Sequence, residues 1–124
     1  MSARFLLNED TARSFASEWI AAWNSHDLER IMSHYSDDVL LTSPIVAKLL
    51  NITDGTVRGE QALRAYFQKG LEAFPQLRFE LIELMWGLAS VVLYYRNQKG
   101  TKSGEFMEFD SDGKVTRVVA NYSG

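Results

Sequence analysis

The segment Ser33–Pro44, SHYSDDVLLTSP, gathers a histidine, two adjacent aspartates and several hydroxyl groups within twelve positions. Paired carboxylates suit general acid–base work, histidine suits metal binding or proton transfer, and a hydroxyl can orient a substrate. Spacing decides among these. Asp37 and Asp38 are neighbours entering a β-prone run, and adjacent residues on an extended chain point to opposite faces, so they make no close acid pair. They fit a turn in which aspartate bonds its own backbone. His34 falls beside a helical stripe of Leu28, Ile31, Met32 and Tyr35, where it reads as a surface or half-buried histidine. The chain has two histidines and no cysteine, which excludes a histidine-rich site, thiolate ligands, disulfides and a cysteine nucleophile. A mixed histidine/carboxylate site has no supporting pattern, and no metal or other cofactor is expected.

These residues must be positioned by the elements around them. From Asn8 to Trp23, Ala12, Phe15, Trp19, Ala22 and Trp23 recur at steps of three and four, the mark of an amphipathic helix. Asn8 is its expected N-cap, with Glu9 and Asp10 at the positive end of the dipole. Asn24-Ser25-His26 breaks the pattern, and a shorter helix follows Asp27. Val39 to Ser43 reads as a short strand ended by Pro44, and Ile45–Arg58 as loop. A third helix covers Glu60–Phe74, stopped by Pro75. From Leu77 the period becomes two, blurring at Met85-Trp86-Gly87, where a bulge or bend is expected. Strands follow at Ser90–Asn97, Gly104–Asp110 and Lys114–Tyr122, the last two joined through Asp112-Gly113, a hairpin signal.

Composition limits the classes of function. The chain of 124 residues fits one domain, with residues 1–8 expected as a loosely ordered N-terminus. A net charge of −3 and the lack of a Lys/Arg cluster argue against nucleic acid as a partner. No apolar run is long enough for a membrane span and no charged n-region with an apolar stretch opens the chain, so a soluble cytoplasmic protein is expected. The sequons at Asn51 and Asn121 are then chance.

The run Trp19-Ile-Ala-Ala-Trp-Asn-Ser-His-Asp-Leu-Glu-Arg-Ile-Met, then Tyr35-Ser-Asp-Asp-Val and Ser43-Pro44, resembles the opening of nuclear-transport-factor-2-like proteins. These include the ketosteroid isomerases and the SnoaL-like polyketide cyclases. Gly59 leading a helix that ends before Pro75, and Asp112-Gly113-Lys114-Val115 before the last strand, extend the resemblance over residues 9 to 122. It implies a single α+β domain: a cone-shaped, curved antiparallel sheet with three helices packed on its concave face, the cystatin-like roll, enclosing an apolar pocket. The superfamily hosts isomerases, cyclases, hydrolases and non-catalytic binders, so fold alone does not choose an activity.

Carried over residue by residue, the resemblance disfavours a standard ketosteroid isomerase. The general-base aspartate that precedes a proline in those enzymes is Ser43 here, which has no group titrating near neutrality. Their oxyanion-hole tyrosine on the first helix aligns with Trp19, whose indole donates one hydrogen bond and trades no proton. Their second oxyanion-hole acid corresponds to Glu105. On its strand Glu105 shares a face with Met107 and Phe109, and burial there would raise its pKa. Two readings stand: Glu105 as the acid or hydrogen-bond donor of a pocket, or a solvated carboxylate pairing with Lys102 or Arg117 after a one-residue slip of register. Trp19, Trp23, Ser43, Tyr66, Phe67 and Met85 are candidate pocket residues, as are Met107, Val118, Ala120 and Tyr122.

The expected function is a SnoaL-like small-molecule-pocket protein: a cofactor-free isomerase, cyclase or lyase on an apolar cyclic or aromatic substrate. The alternative is a non-catalytic binding or protein-interaction module using the same cone. Homodimerisation is expected through the outer sheet face, with Val91, Leu93, Tyr95, Val119 and Asn121 as its apolar patch.

Overall fold

In the computed structural model, which describes residues 5–123, Asn8 opens α1 (Glu9–Ser25) with a capping box. Its side chain accepts the Thr11 N–H at 2.9 Å, and Thr11 Oγ1 accepts the Asn8 N–H at 2.9 Å. Residues 5–8 are anchored rather than loose. Leu7 is buried and its N–H donates to the Leu88 carbonyl at 2.8 Å, while the Phe5 and Phe109 rings lie 5.4 Å apart. Residues 1–4 of the expected loose N-terminus lie outside the described residues.

The break at Asn24-Ser25-His26 is a clamp. His26 takes the left-handed conformation that ends α1, at φ 60°. Its Nε2 contacts the Leu77 carbonyl at 2.8 Å, and because a carbonyl only accepts, that nitrogen carries the proton. Asn24 brackets Phe79, donating to its carbonyl at 2.9 Å and accepting its N–H at 2.7 Å. Residues 77–79, read as strand from the period-two pattern, are thereby held as an extended link before β3 (Glu80–Trp86).

Helix α2 (Leu28–Met32) starts at Asp27, whose side chain accepts the Arg30 N–H at 3.2 Å. Tyr35, read with the stripe of this helix, instead opens β1 (Tyr35–Thr42). The strand starts four residues earlier than its β-prone run because β6 (Val115–Tyr122) supplies a partner: the Val115 N–H donates to the His34 carbonyl at 2.8 Å.

The expected loop Ile45–Arg58 contains α3 (Pro44–Leu49) and β2 (Thr56–Arg58). Ser43, extended at φ −156°, caps α3 through its Oγ, which accepts the Ile45 N–H at 3.1 Å, and Pro44 occupies the first helical position with φ already set. The chain returns through Gly55 at φ +65°, where a Cβ would stand 2.9 Å from the Ser43 carbonyl oxygen, so only glycine fits without displacement. Among the described residues four helices therefore accompany the sheet, completed by α4 (Glu60–Ala73).

With β4 (Ser90–Arg96) and β5 (Lys102–Phe109), the strands form one open six-stranded sheet in the order β2-β1-β6-β5-β4-β3. The β1–β6 pair is parallel and the other pairs antiparallel, a correction to the all-antiparallel expectation. A parallel pair needs a long crossover, and everything from α3 to β5 provides it. Register shifts at Tyr35/Leu40, Leu81/Glu83 and Glu108/Phe109 help curve the sheet. The bulge in β3 thus falls nearer its start than the blurred phase at Met85-Trp86-Gly87 indicated.

Register sorts the side chains by face. Leu84, Leu93, Glu105 and Ala120 share one row, and Met107 and Val118 lie in the next inner row with Val91. Val91, Leu93 and Tyr95 are at most 3% exposed, so they face the helices and are not the outer patch expected of them. The outer row is Met85, Val92, Phe106 and Val119, with Asn121 exposed on the same face. Among the described residues no helix is long and apolar enough to cross a membrane.

Candidate active site

One end of the concave face is hollow. A cleft of about 530 Å³ opens there, within the range of small-molecule sites. Helix α1 presents Trp19 and Trp23 to it, α4 presents Tyr66 and Phe67, and β5 and β6 present Glu105, Ala120 and Tyr122. Exposed Ile45, Leu49 and Phe74 lie on its lining, as does Lys99 from the β4–β5 turn, whose Nζ sits 5.2 Å from the centre of the Phe74 ring. Leu49, within the segment expected as loop, thus belongs to the cleft.

Glu105 faces inward. It is 8% exposed, and pairing with Leu93 on one side and Ala120 on the other fixes that orientation. It makes no salt bridge with Lys102 or Arg117; its Oε1 accepts the Tyr95 hydroxyl at 2.8 Å. Burial disfavours the carboxylate and pushes its pKa up to about 7, although the Tyr95 hydrogen bond pulls the other way. The group therefore titrates near neutrality in an apolar setting.

Four tyrosines surround that carboxyl closely enough to feel its charge: Tyr35, Tyr66, Tyr95 and Tyr122. Burial raises the pKa of each and the Glu105 charge raises it further, so all four hydroxyls stay protonated across the physiological range. Tyr35 and Tyr95 were not among the sequence candidates. An inward aromatic opposite Glu105 was the available signal for Tyr95, since the two lie two positions apart across the β4–β5 register. No comparable signal existed for Tyr35, which the helical pattern had claimed.

The remaining candidates divide. Trp19 lines the cleft, but its indole N–H already donates to the Tyr35 hydroxyl at 2.9 Å. Its ring stacks on Phe79 at 5.7 Å between centroids, and Phe79 packs 4.5 Å from Tyr95. Trp23 meets Phe67 edge-on at 4.7 Å. Ser43 is buried behind the wall with its Oγ 3.4 Å from the Tyr122 hydroxyl, where it serves first as the α3 cap. Met107 and Val118 are fully buried in solid core rather than at the cleft. Met85 is 53% exposed on the outer face, because the β3 bulge reverses the alternation that had turned it inward.

Among the described residues no three acidic or histidine side chains converge. His34 and Glu18 approach to 3.3 Å on the outside of α1, where Arg30 also holds Glu18 at 2.7 Å. Burial lowers the His34 pKa against the pull of Glu18, so this cluster reads as a tie between α1 and α2.

Residues 16–118 match the model of the SnoaL-like domain. No curated protein matches the chain. Among solved structures, a SnoaL-like protein of unknown function from Burkholderia thailandensis E264 is 36% identical, with a TM-score of 0.93 over 97% of this chain and 100% of that one. A protein of unknown function with cystatin-like fold from Methylobium petroleophilum PM1 aligns at 13% identity and TM-score 0.76, over 97% of this chain and 80% of that one. SalBIII, an epoxide hydrolase/cyclase-like enzyme of pyran ring formation in the polyether salinomycin, aligns at 16% identity and TM-score 0.72, over 94% and 93%. The last two likenesses concern the fold alone. By the match over residues 16–118 and the Burkholderia relative, this chain belongs to the SnoaL-like domain family.

Proposed function

We propose that this protein binds a small apolar cyclic or aromatic molecule in the cleft. Glu105 then acts on it as a general acid–base group, without a cofactor, in isomerase, cyclase or lyase chemistry. The observation that supports this reading is one inward carboxyl, buried, held by a tyrosine hydroxyl at 2.8 Å and titrating at about 7. A group with that pKa gives and takes protons with comparable ease at neutral pH. Standard ketosteroid isomerase chemistry is not proposed, because Ser43 caps a helix where the base would stand and the Trp19 N–H is committed to Tyr35.

That same commitment favours a second reading, a non-catalytic binder. With the Ser43 and Trp19 positions occupied by structural work, Glu105 is left as the carboxyl on the cleft. A thermal-shift screen of wild type and Glu105→Gln at two pH values separates the readings. The panel holds steroids, phenols, polyketide-like aromatics and cyclic ketones; a ligand at one hundred times its Kd stabilises by about 2.7 kcal/mol. Hits weakened by Glu105→Gln, followed by turnover lost in that variant, support the enzyme. Hits indifferent to the change support the binder.

The proposal includes pairing of two copies through the outer row Met85, Val92, Phe106 and Val119, on the face of the sheet opposite buried Val91, Leu93 and Tyr95. Phe106→Asp is expected to give a monomer by light scattering, and a strictly monomeric wild type overturns the pairing. The expected compartment is the cytoplasm, which fractionation of the producing cells checks.

A further inference from the structure

Trp23 is 7% exposed and lines the cleft, yet its indole Nε1 is buried with no hydrogen-bond partner among the described residues. Buried donors are nearly always paired, so an orphan on the wall of a cavity points to something that enters the cavity. Four residues earlier on α1, Trp19 gives its own indole N–H to the Tyr35 hydroxyl at 2.9 Å. The Trp23 N–H lies near that same hydroxyl, close enough to lower its pKa but outside hydrogen-bonding geometry. Tyr35 also lines the cleft, and its oxygen accepts from Trp19 while its hydrogen has no acceptor among the described residues. Two unused donors, one N–H and one O–H, are therefore carried by neighbouring residues that line the cleft. The bond received from Trp19 polarises the Tyr35 O–H and strengthens it as a donor.

We propose that Trp23 Nε1 and the Tyr35 hydroxyl form a two-donor station for one carbonyl oxygen of a neutral ligand. This rests on the ligand-binding reading above and names its ligand class. Trp23 Nε1 has only a hydrogen to give, and the Tyr35 oxygen already accepts from Trp19, so the complement is an acceptor. A carboxylate is the wrong acceptor, because Glu105 is itself acidic and the cation on the lining, Lys99, sits on an exposed turn. An anion carried to the indoles would be desolvated without a counter-charge. A ketone, lactone or quinone oxygen satisfies both donors with no such cost.

The test pairs 1-tetralone with tetralin, which has the same fused rings without the carbonyl. The chain has three tryptophans, so indole-labelled protein gives three resolvable N–H signals. With 1-tetralone, the Trp23 signal is expected to move downfield while that of Trp86, on the exposed part of β3, stays in place. Wild type is expected to bind 1-tetralone about tenfold more tightly than tetralin, as one or two net hydrogen bonds allow. Trp23→Phe and Tyr35→Phe should each reduce that preference toward parity. Equal affinity for the two compounds, or a Trp23 signal unmoved by bound tetralone, overturns the station and leaves the cleft as a binding site. Binding of neither overturns the station too, and a blank thermal-shift panel then removes the ligand-binding reading with it. Should Trp23→Phe fail to fold, the wild-type signals and the affinity ratio still decide.

Discussion

The two ends of the concave face use the same three strands to opposite effect. At one end, Val91 of β4, Met107 of β5 and Val118 of β6 are at most 1% exposed and belong to the same core cluster as fully buried Val39 and Leu63. At the other end, the inward positions of β5 and β6 are Ser103, Glu105, Ala120 and Tyr122, and they line a cleft of about 530 Å³. Alternation and register are continuous between the ends, so the backbone does not make the difference. Side-chain size and polarity do. Branched and thioether chains fill the first end. Small residues and hydroxyls at the second leave room that Trp19, Trp23 and Phe67 border without filling. Hydrogen bonds between Tyr95 and Glu105, and between Trp19 and Tyr35, fix side chains that would otherwise be free to collapse inward.

Truncation at the packed end should have the largest effect. Met107→Ala leaves a hole among fully buried neighbours and is expected to lower the unfolding free energy by about 3 kcal/mol, read by chemical denaturation. A loss under about 1 kcal/mol would mean that this end is not the tight half of the molecule.

Next comes the buried acid. Because the Glu105 pKa rises from an ordinary 4.5 to about 7, the folded state holds a proton that the unfolded state releases between those values. The wild type should therefore lose stability as pH rises through that window, by about 3 kcal/mol at most. Glu105→Gln should remove that component of the slope and be the more stable protein at pH 8. Superimposable stability–pH curves for the two proteins would place the carboxyl in water.

Filling the hollow should cost less. Ala120→Leu projects into open space, so its stability is expected to stay within about 1.5 kcal/mol of wild type, while binding of any cleft ligand is lost. If it instead destabilises as strongly as Met107→Ala, the cleft closes in solution and the contrast between the ends fails.

The smallest effect belongs to the outside of α1. Hydrogen bonding to Arg30 lowers the pKa of exposed Glu18, so its contribution is present above the usual carboxylate range and lost as pH falls through the lowered value. Glu18→Gln should give a barely measurable change in Tm that vanishes at high salt.

Much of this was legible locally. Asn8 and Asp27 act as the caps they resemble, and Asp112-Gly113 sits in the hairpin turn. The period-two stretches from Glu80 onward are the meander, and the roll is what the family resemblance implied. Ser43-Pro44 carries a local signal that the expectation of a strand ending passes over: an N-cap followed by proline at the first helical position announces α3. Tyr35 and the start of β1 were beyond local reading, since the partner that converts that segment to strand is eighty residues away at Val115. Met85 failed on parity, because the extra residue between Leu81 and Glu83 reverses the side chains of β3 that follow it. The inward face of Val91, Leu93 and Tyr95 is set by register with β5 rather than by alternation within β4.

By itself the sequence determined α1, α2, α4 and the strands of the meander, their order, the lack of thiol chemistry and an acid among apolar neighbours on β5. These follow from residue type and spacing along one strand or helix. Whether that acid faced water or a cavity, which hydroxyl met it, and which tryptophan kept a free N–H were decided by tertiary structure alone. Each depends on register between strands distant in sequence and on the volume left when α1 and α4 close over the sheet, quantities that no single segment carries.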